Sequence, residues 1–372
     1  MAKNNNLNSG DLVKLLIIFS LFIMIMIVPL GTVNLNWEYN MVILIVCSII
    51  IAIPVVIISM DLSRRASWYL YGRVTRLIHA HSPAIKMLDK NKVPIVDYGY
   101  QAGNNYGKQR NPLTIAVKAN TYYEEFSKTY KPNKKEYFFN CIHWLEESKI
   151  DKDNYSLWPY EFGATAYDVS LPFYSALAQT AIMVAFMHAF TITADEHYKI
   201  IADKALRSLE VPIEKGGVLV VDPNDGGKWY EEIAFGGGKK QTPLILNGCL
   251  SSILYLHEYY KQTNSKEAKV LFDDGLIEIK RHLPDYDNGH WTNYDREGHF
   301  AYDYHYIHVH QLQELYEITG DKEFKVYHDK WAAYFPINPM WVRERFAAYL
   351  FDASIIFIIL AIMMIIYKMY KI

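Results

Sequence analysis

Apolar residues repeat with a helical period through most of the middle of this chain and run together without interruption near its two ends. Leu15 to Leu30 reads LLIIFSLFIMIMIVPL, Met41 to Met60 reads MVILIVCSIIIAIPVVIISM, and Phe346 to Tyr367 reads FAAYLFDASIIFIILAIMMIIY. As helices, these runs are about long enough to cross a hydrocarbon core of roughly 30 Å. No A-x-A-like cleavage site follows the first run before the second begins, so the pair predicts a retained helical hairpin rather than a signal peptide. Pro29 and Pro54 fit membrane helices better than soluble ones, because neighbouring groups can satisfy the freed backbone. Asp352 interrupts the third run and is expected near the interface or against another helix.

Between Ser63 and Arg345 the 3.6-residue period predicts helices near 66–89, 112–130, 134–148, 172–190, 194–209, 243–262, 266–282 and 304–319. Asn111 followed by Pro112 marks a helix start, and GGVLVVD, Gly216 to Asp222, is the clearest strand. Successive amphipathic helices joined by loops rich in Gly, Asn and Asp predict antiparallel pairs stacked around a centre. No exact repeat points to a solenoid. The expected division is an N-terminal membrane hairpin over 1–62 (spans about 13–33 and 41–60), a helical domain over 63–345 and a membrane helix over 346–372.

Charge sets the orientation. Lys3 and Lys14 precede the first span, NLNWEYN between the spans carries no Lys or Arg, and Arg64, Arg65, Arg73 and Arg76 follow the second. A multi-pass membrane protein with its large domain on the cytoplasmic side is expected; Arg343 and Arg345 agree, whereas Lys368 and Lys371 oppose it. A net charge of −2 gives no general attraction to nucleic acid. Cys47, Cys141 and Cys249 are scattered and form no disulfide framework. Aromatics make up 15% of the chain and gather in loops such as VDYGYQAGNNYG, LWPYEF and KWYEEIAF, a composition suited to stacking on sugar rings or simply to half-buried tyrosines.

YDYHYIHVHQL, residues 302–312, is the densest candidate for chemistry. His305 and His308 share a helical face but His310 points nearly the opposite way, so the three cannot reach one ion. A two-histidine site completed by Asp303 or Asp295 stays open as the lesser reading, since zinc motifs such as H-E-x-x-H are absent. FGGGKK lacks P-loop spacing; it reads as a lid carrying Lys239 and Lys240, or as a solvated loop.

FYSALAQTAIMVAFMHAF, WYEE with LILNGCLSSILYLHEYY, and NYDREGHFAYDYHYIHVHQLQELYEITGD resemble, in order, the C-terminal region of the glucuronyl C5-epimerase family, with DYGYQAGN and QRNPLTIA upstream. The resemblance covers most of 95–333, not the apolar runs, and the family's N-terminal β-rich region has no counterpart here. It implies an all-α fold, an (α/α) barrel or toroid with short β-hairpins, to which three transmembrane helices are added. It also implies inversion at sugar carbon 5 through removal of the proton beside the C6 carboxylate and its return on the opposite face, which needs an acid, a base and charge-stabilising groups. That reaction requires no cofactor, and no metal is expected.

Carried over by motif, the acid/base tyrosine falls on Tyr304, the second tyrosine on Tyr294 and the active-site glutamate on Glu232. Arg296 then becomes a candidate partner for the substrate carboxylate. His305 and His308 would orient Tyr304 or bind sugar, while Gln179 and Asn247 match polar positions that bind hydroxyls or cap helices. Where the family has Tyr-Pro after the glutamate this chain has Ile233 and Ala234, so Tyr230 is the substitute if a third tyrosine is needed. Expected partners are an acidic, uronate-containing glycan, lipid-linked or nascent, the lipid bilayer, and a second copy or a glycan-synthesis complex. Competing readings are a polysaccharide lyase, which shares the carbanion, and a non-catalytic glycan-binding or assembly protein.

Overall fold

A computed structural model describes residues 42–43, 45–52, 84–101, 103–165, 167–223, 226–235, 242–334 and 339–370. Two compact units divide the chain, one of 78–337 and one of 1–77 with 338–372.

Eight α-helices of the larger unit form four hairpins: α1 Pro112–Thr129 with α2 Pro132–Ser148, α3 Ala176–Thr193 with α4 Glu196–Arg207, α5 Leu246–Thr263 with α6 Lys266–His282, and α7 Tyr304–Thr319 with α8 Lys322–Ala332. Every hairpin turns through the same two-residue link. Its first residue is left-handed (Tyr130 φ 53°, Ala194 φ 57°, Asn264 φ 55°, Gly320 φ 69°) and sends its N–H back to the carbonyl four residues earlier. The second residue begins the return helix, and at Asp195, Ser265 and Asp321 its side chain caps that helix.

Within each pair the helices pack closely, and α1, α3, α5 and α7 also pack in a row, so α2, α4, α6 and α8 lie outside them. α3 occupies the middle and is buried at every position from Ala176 to Ala189. Among the described residues it is the one helix long and apolar enough to cross a membrane, yet 78% of its apolar window is buried inside the protein, which makes it the core helix. Trp158, Phe186, Tyr259, Trp331 and Phe324 fill the space around the row.

Because each link is short, the inner helices all run the same way, and the chain returns from one hairpin to the next through the long segments 149–175, 208–245 and 283–303. These segments carry the hairpins β6 Ile150–Asp151 with β7 Ser156–Leu157 and β8 Leu219–Val221 with β9 Lys228–Tyr230. Ahead of α1, β1 Ile85–Leu88, β2 Pro94–Asp97 and β5 Lys108–Gln109 form a three-stranded antiparallel sheet, with β3 Tyr100–Gln101 paired to β4 Asn104–Asn105. The unit is mostly helical, with more strand than the expected short hairpins. The helix predicted over 66–89 is corrected at its end, where Ile85–Leu88 alternates in burial and pairs with Pro94–Asp97; the rest of that prediction lies outside the described residues.

In the smaller unit, residues 45–52 are helical and α9 is one continuous helix, Pro339–Tyr370. Ile51 and Ala52 pack against Ala353, Ile356 and Leu360, and the Tyr349 hydroxyl donates to the Ile49 carbonyl at 2.8 Å. Asp352 is buried in this unit, while Ile45, Ile49, Ile358, Ile359, Ile362 and Ile366 are exposed. The first predicted span, and residues 41, 44 and 53–60 of the second, lie outside the described residues.

Candidate active site

The long connections converge where the inner helices begin, so side chains at those N-termini and on the connections meet. The segment following β9 crosses the start of α3: Ala176 N–H donates to Glu231 O, and Tyr174 and Ala234 exchange hydrogen bonds, each at 2.8 Å. The two consecutive glutamates then part company. Glu231 is fully buried and accepts from the N–H groups of Ile233 (3.1 Å), Leu244 (2.7 Å) and Ile245 (3.5 Å), so it ties the ends of the 234–244 loop. Glu232 is half-buried and accepts from Asn247 Nδ2 at 3.0 Å. Burial raises Glu232 to about 7 against the pull of the Asn247 amide, and raises Glu231 to about 8 against its three N–H donors.

The connection before α7 lies over the start of α5, with Leu246 N–H on Tyr294 O at 3.1 Å and Arg296 N–H on Pro243 O at 3.1 Å. Tyr294 and Tyr304 thereby face one another with ring centroids 4.7 Å apart. Burial pushes both phenols above their usual range, and the nearby Glu232 charge pushes further; a hydrogen bond to Tyr294 partly offsets this at Tyr304. Tyr304, the first residue of α7, remains 40% exposed and therefore reachable. Two non-glycine residues with left-handed backbone flank this arrangement, Leu244 (φ 54°) before α5 and Tyr302 (φ 46°) before α7. Each costs on the order of 1–3 kcal/mol, tolerated where the surroundings fix it: Leu244 O accepts from Tyr286 at 2.6 Å, and Tyr302 O from Trp291 Nε1 at 3.2 Å.

Glu232, Tyr294, Tyr304 and Asn247 are thus brought together. Asn247 is the second residue of α5 and binds Glu232, so it is not the cap of that helix. Other residues named from the sequence go elsewhere. Gln179 is fully buried, donating to Ser156 O and Ser208 Oγ and accepting from Trp158 N–H. Tyr230 is fully buried with its hydroxyl on Leu271 O at 2.7 Å, so it does not replace the missing tyrosine. Arg296 is ion-paired with Asp285 at 3.3 Å.

His305 and His308 are fully buried and meet at a threonine rather than an ion. His305 Nε2 donates to Trp331 O at 3.1 Å, which leaves Nδ1 as an acceptor for the Thr292 hydroxyl at 3.0 Å. Thr292 Oγ1 must then accept from His308 Nδ1 at 2.9 Å. Burial lowers His305 to about 4 and His308 to about 3, so both are neutral and this chain of bonds is consistent. They fasten α7 to its preceding connection and to the end of α8.

Several neighbours were not anticipated. Tyr167 donates to the fully buried Asp295, which also accepts from His299 Nδ1 at 2.6 Å and His299 N–H at 3.1 Å. Tyr98 accepts from Asn111 Nδ2 at 2.7 Å, and Tyr160 is held against Asn111 Oδ1 and Leu113 N–H, both at 3.3 Å. Asn111 and Leu113 belong to the start of α1, and the charge of Glu232 reaches Tyr160. The aromatic loops pointed toward Tyr98 and Tyr160; nothing local singled out Tyr167. Among the described residues, two groups of three donors lie within reach of one ion: Asp295 with Glu297 and His299, and Asp222 with Glu278 and His282. Neither contains His305 or His308.

Residues 152–333 match the family described as D-glucuronyl C5-epimerase C-terminus. An uncharacterized protein of Methanocaldococcus jannaschii is 29% identical over 284 residues, 72% of this chain and 91% of that protein. The D-glucuronyl C5-epimerase of Caenorhabditis elegans is 28% identical over 248 residues, 60% of this chain but only 38% of the worm enzyme. Among solved structures, cellobiose 2-epimerase from Bacillus thermoamylovorans aligns with a TM-score of 0.47 and 12% identity over 63% of this chain and 64% of that one. A D-mannose isomerase aligns at 0.44 and 13%, over 62% and 59%. On the sequence matches, residues 152–333 of this chain are similar to the C-terminal domain of the D-glucuronyl C5-epimerase family.

Proposed function

We propose that this protein is a membrane-anchored uronate C5-epimerase that inverts carbon 5 of a glucuronate-type residue in an acidic glycan. The match to the C5-epimerase C-terminal family supports carbohydrate epimerase chemistry. The observation that carries the finer reading is the meeting of Glu232 with the Tyr294–Tyr304 pair at the N-terminal ends of the inner helices.

Inversion needs one group to take the C5 proton and another to supply a proton to the opposite face. A carboxyl poised at about 7 is divided between its acid and base forms at neutral pH, which suits the first task. Phenols held above their ordinary range keep their protons and suit the second. In this reading Glu232 takes the proton from C5, the electron pair delocalises into the C6 carboxylate, and Tyr304 returns a proton to carbon. Tyr294 then replaces it through their hydrogen bond, and exchange with solvent takes the proton from Glu232 and returns one to Tyr294, which restores the starting forms. Glu232 follows β9, whereas Tyr294 lies on the connection before α7 and Tyr304 opens α7, so the carboxyl and the tyrosines come from different segments. Four hairpins with inner helices in a row fit an (α/α) toroid whose cleft opens at these N-termini.

The anchor rests on the smaller unit, where exposed isoleucines cover the helical residues 45–50 and α9. A lipid-facing surface explains that exposure better than water does. The arginines after the second apolar run favour a cytoplasmic catalytic domain.

Full-length protein incubated in deuterated water with glucuronate, mannuronate and galacturonate polymers tests the reaction. Deuterium at carbon 5 with both configurations recovered is expected for at least one polymer. Unsaturated chain ends absorbing in the ultraviolet would instead identify a lyase, and neither product would leave a glycan-binding protein.

A further inference from the structure

Behind the strand that leads to Glu231 and Glu232, three potential ligand atoms from separate parts of the chain lie within 4.8 Å of one another: a carboxylate oxygen each from Asp222 and Glu278, and a ring nitrogen of His282. Glu278 is 3% and His282 9% exposed. Asp222 follows β8, while Glu278 and His282 lie one turn apart at the end of α6.

The histidine is the informative member. Its Nδ1 is 2.8 Å from Asp285 Oδ2, and a carboxylate there must be receiving a proton, so Nδ1 carries N–H. The other nitrogen, Nε2, is buried and has no hydrogen-bond partner, although Glu278 Oε1 lies 3.2 Å away. Nε2 and Glu278 Oε1 thus sit at a separation that two ligands of one small cation would take, with no hydrogen bond between them.

A carboxylate on the far ring nitrogen is the arrangement that orients metal-bound histidines and raises their basicity. Arg281 Nη1 binds the other oxygen, Glu278 Oε2, at 3.0 Å, which compensates one of the two ligand carboxylates. Gly227 also packs tightly here, since a Cβ on it would sit 2.0 Å from Glu278 Oε2. Trp229 closes one side, its ring centroid 6.4 Å from that of His282 and nearly perpendicular to it.

The geometry points to a structural site for one divalent transition-metal ion, Zn²⁺ or Mn²⁺, bound by Asp222, Glu278 and His282 with Asp285 orienting the imidazole. One imidazole nitrogen with two carboxylates favours these ions over Ca²⁺ and Mg²⁺, which take oxygen ligands throughout. The ion would join the β8–β9 hairpin to the end of α6. Because β9 continues directly into Glu231 and Glu232, it would also hold the strand that presents Glu232. The binding claim stands apart from the epimerase reading.

Metal content and thermal unfolding of full-length protein in detergent test it. After stripping with chelator and dialysis against each chloride salt, about one Zn²⁺ or Mn²⁺ per chain is expected by elemental analysis. The unfolding midpoint should rise by roughly 5 °C or more at hundredfold excess over Kd, with little response to Ca²⁺ or Mg²⁺. His282→Gln and Asp222→Asn should each lose the ion, Asp285→Asn should weaken binding about 10–100-fold, and Tyr304→Phe should bind as wild type. No retained ion and no shift with wild-type protein would overturn the proposal. So would an ion kept by His282→Gln but lost in His299→Gln, which would place it at Asp295 instead.

Discussion

Asn247 Nδ2 donates to Glu232 Oε2 at 3.0 Å, while Gln311 Nε2 holds the Asn247 carbonyl at 3.1 Å. The first turn of α5 and the face of α7 together fix the one amide that stabilises the ionised form of Glu232. Removing it in Asn247→Ala leaves burial unopposed and raises the carboxyl further above its present value of about 7. The limb of the isotope-exchange pH profile that reports the base should move to higher pH, with a several-fold lower rate at neutrality. A limb that stays in place would separate Glu232 from proton abstraction.

Tyr304→Phe and Tyr294→Phe each remove one hydroxyl from a pair whose rings are 4.7 Å apart. A loss of roughly 10²–10⁴-fold in carbon-5 exchange is expected for Tyr304→Phe, the size typical of a missing general acid. Circular dichroism should be unchanged. Exchange at the wild-type rate in both variants would end the tyrosine assignment.

Gly248 lies where a Cβ would come 2.4 Å from Glu232 Cβ and 2.5 Å from its Oε2. Gly248→Ala therefore has to displace the carboxylate or the start of α5. Destabilisation of roughly 1–3 kcal/mol in denaturant titration is expected. Exchange activity should fall by more than the folded fraction does.

Gln179→Ala separates structure from substrate contact. It strips partners from Trp158 N–H, Ser156 O and Ser208 Oγ in the core. The cost should be roughly 2–4 kcal/mol, since buried groups are left unsatisfied. KM for the remaining folded enzyme should not change.

The raised carboxyl of Glu232 also makes stability depend on pH. The folded chain holds this proton until about pH 7, whereas the unfolded side chain releases it near its ordinary value of 4.5. Its contribution is therefore complete below about 4.5 and declines as pH rises through about 7. Glu232→Gln should flatten that decline in denaturant midpoints measured from pH 4.5 to 8.

The helical period marked α1 to α7 nearly at their observed ends, because a stripe of apolar residues every three to four positions must face a core whatever surrounds it. Asn111 was recognisable as a cap, and its side chain does accept from Thr114 N–H at 2.9 Å. The common hairpin link was not visible, since Tyr130, Ala194, Asn264 and Gly320 share a backbone conformation and no chemistry. Residues 85–88 read as part of a helix because a four-residue strand is too short to establish its own period, and only pairing with Pro94–Asp97 decided it.

Within the candidate site, motif order in the sequence selected Tyr304, Tyr294 and Glu232, residues from two connections and a helix start. What the motifs could not show is why Glu231 ties a loop while its neighbour Glu232 meets Asn247, or why Tyr230 is buried against Leu271 while Tyr294 faces Tyr304. Those differences lie in which backbone N–H groups and which neighbours each side chain meets after the chain returns across the helix ends. The same holds for His305 and His308, whose spacing suggested ligands and whose partners, Thr292 and the Trp331 carbonyl, come from other segments. Periodicity and order are properties of neighbouring residues and survive in the one-dimensional chain. Burial, proton affinity and the pairing of donors with acceptors depend on what distant segments bring alongside, so only the folded structure decided them.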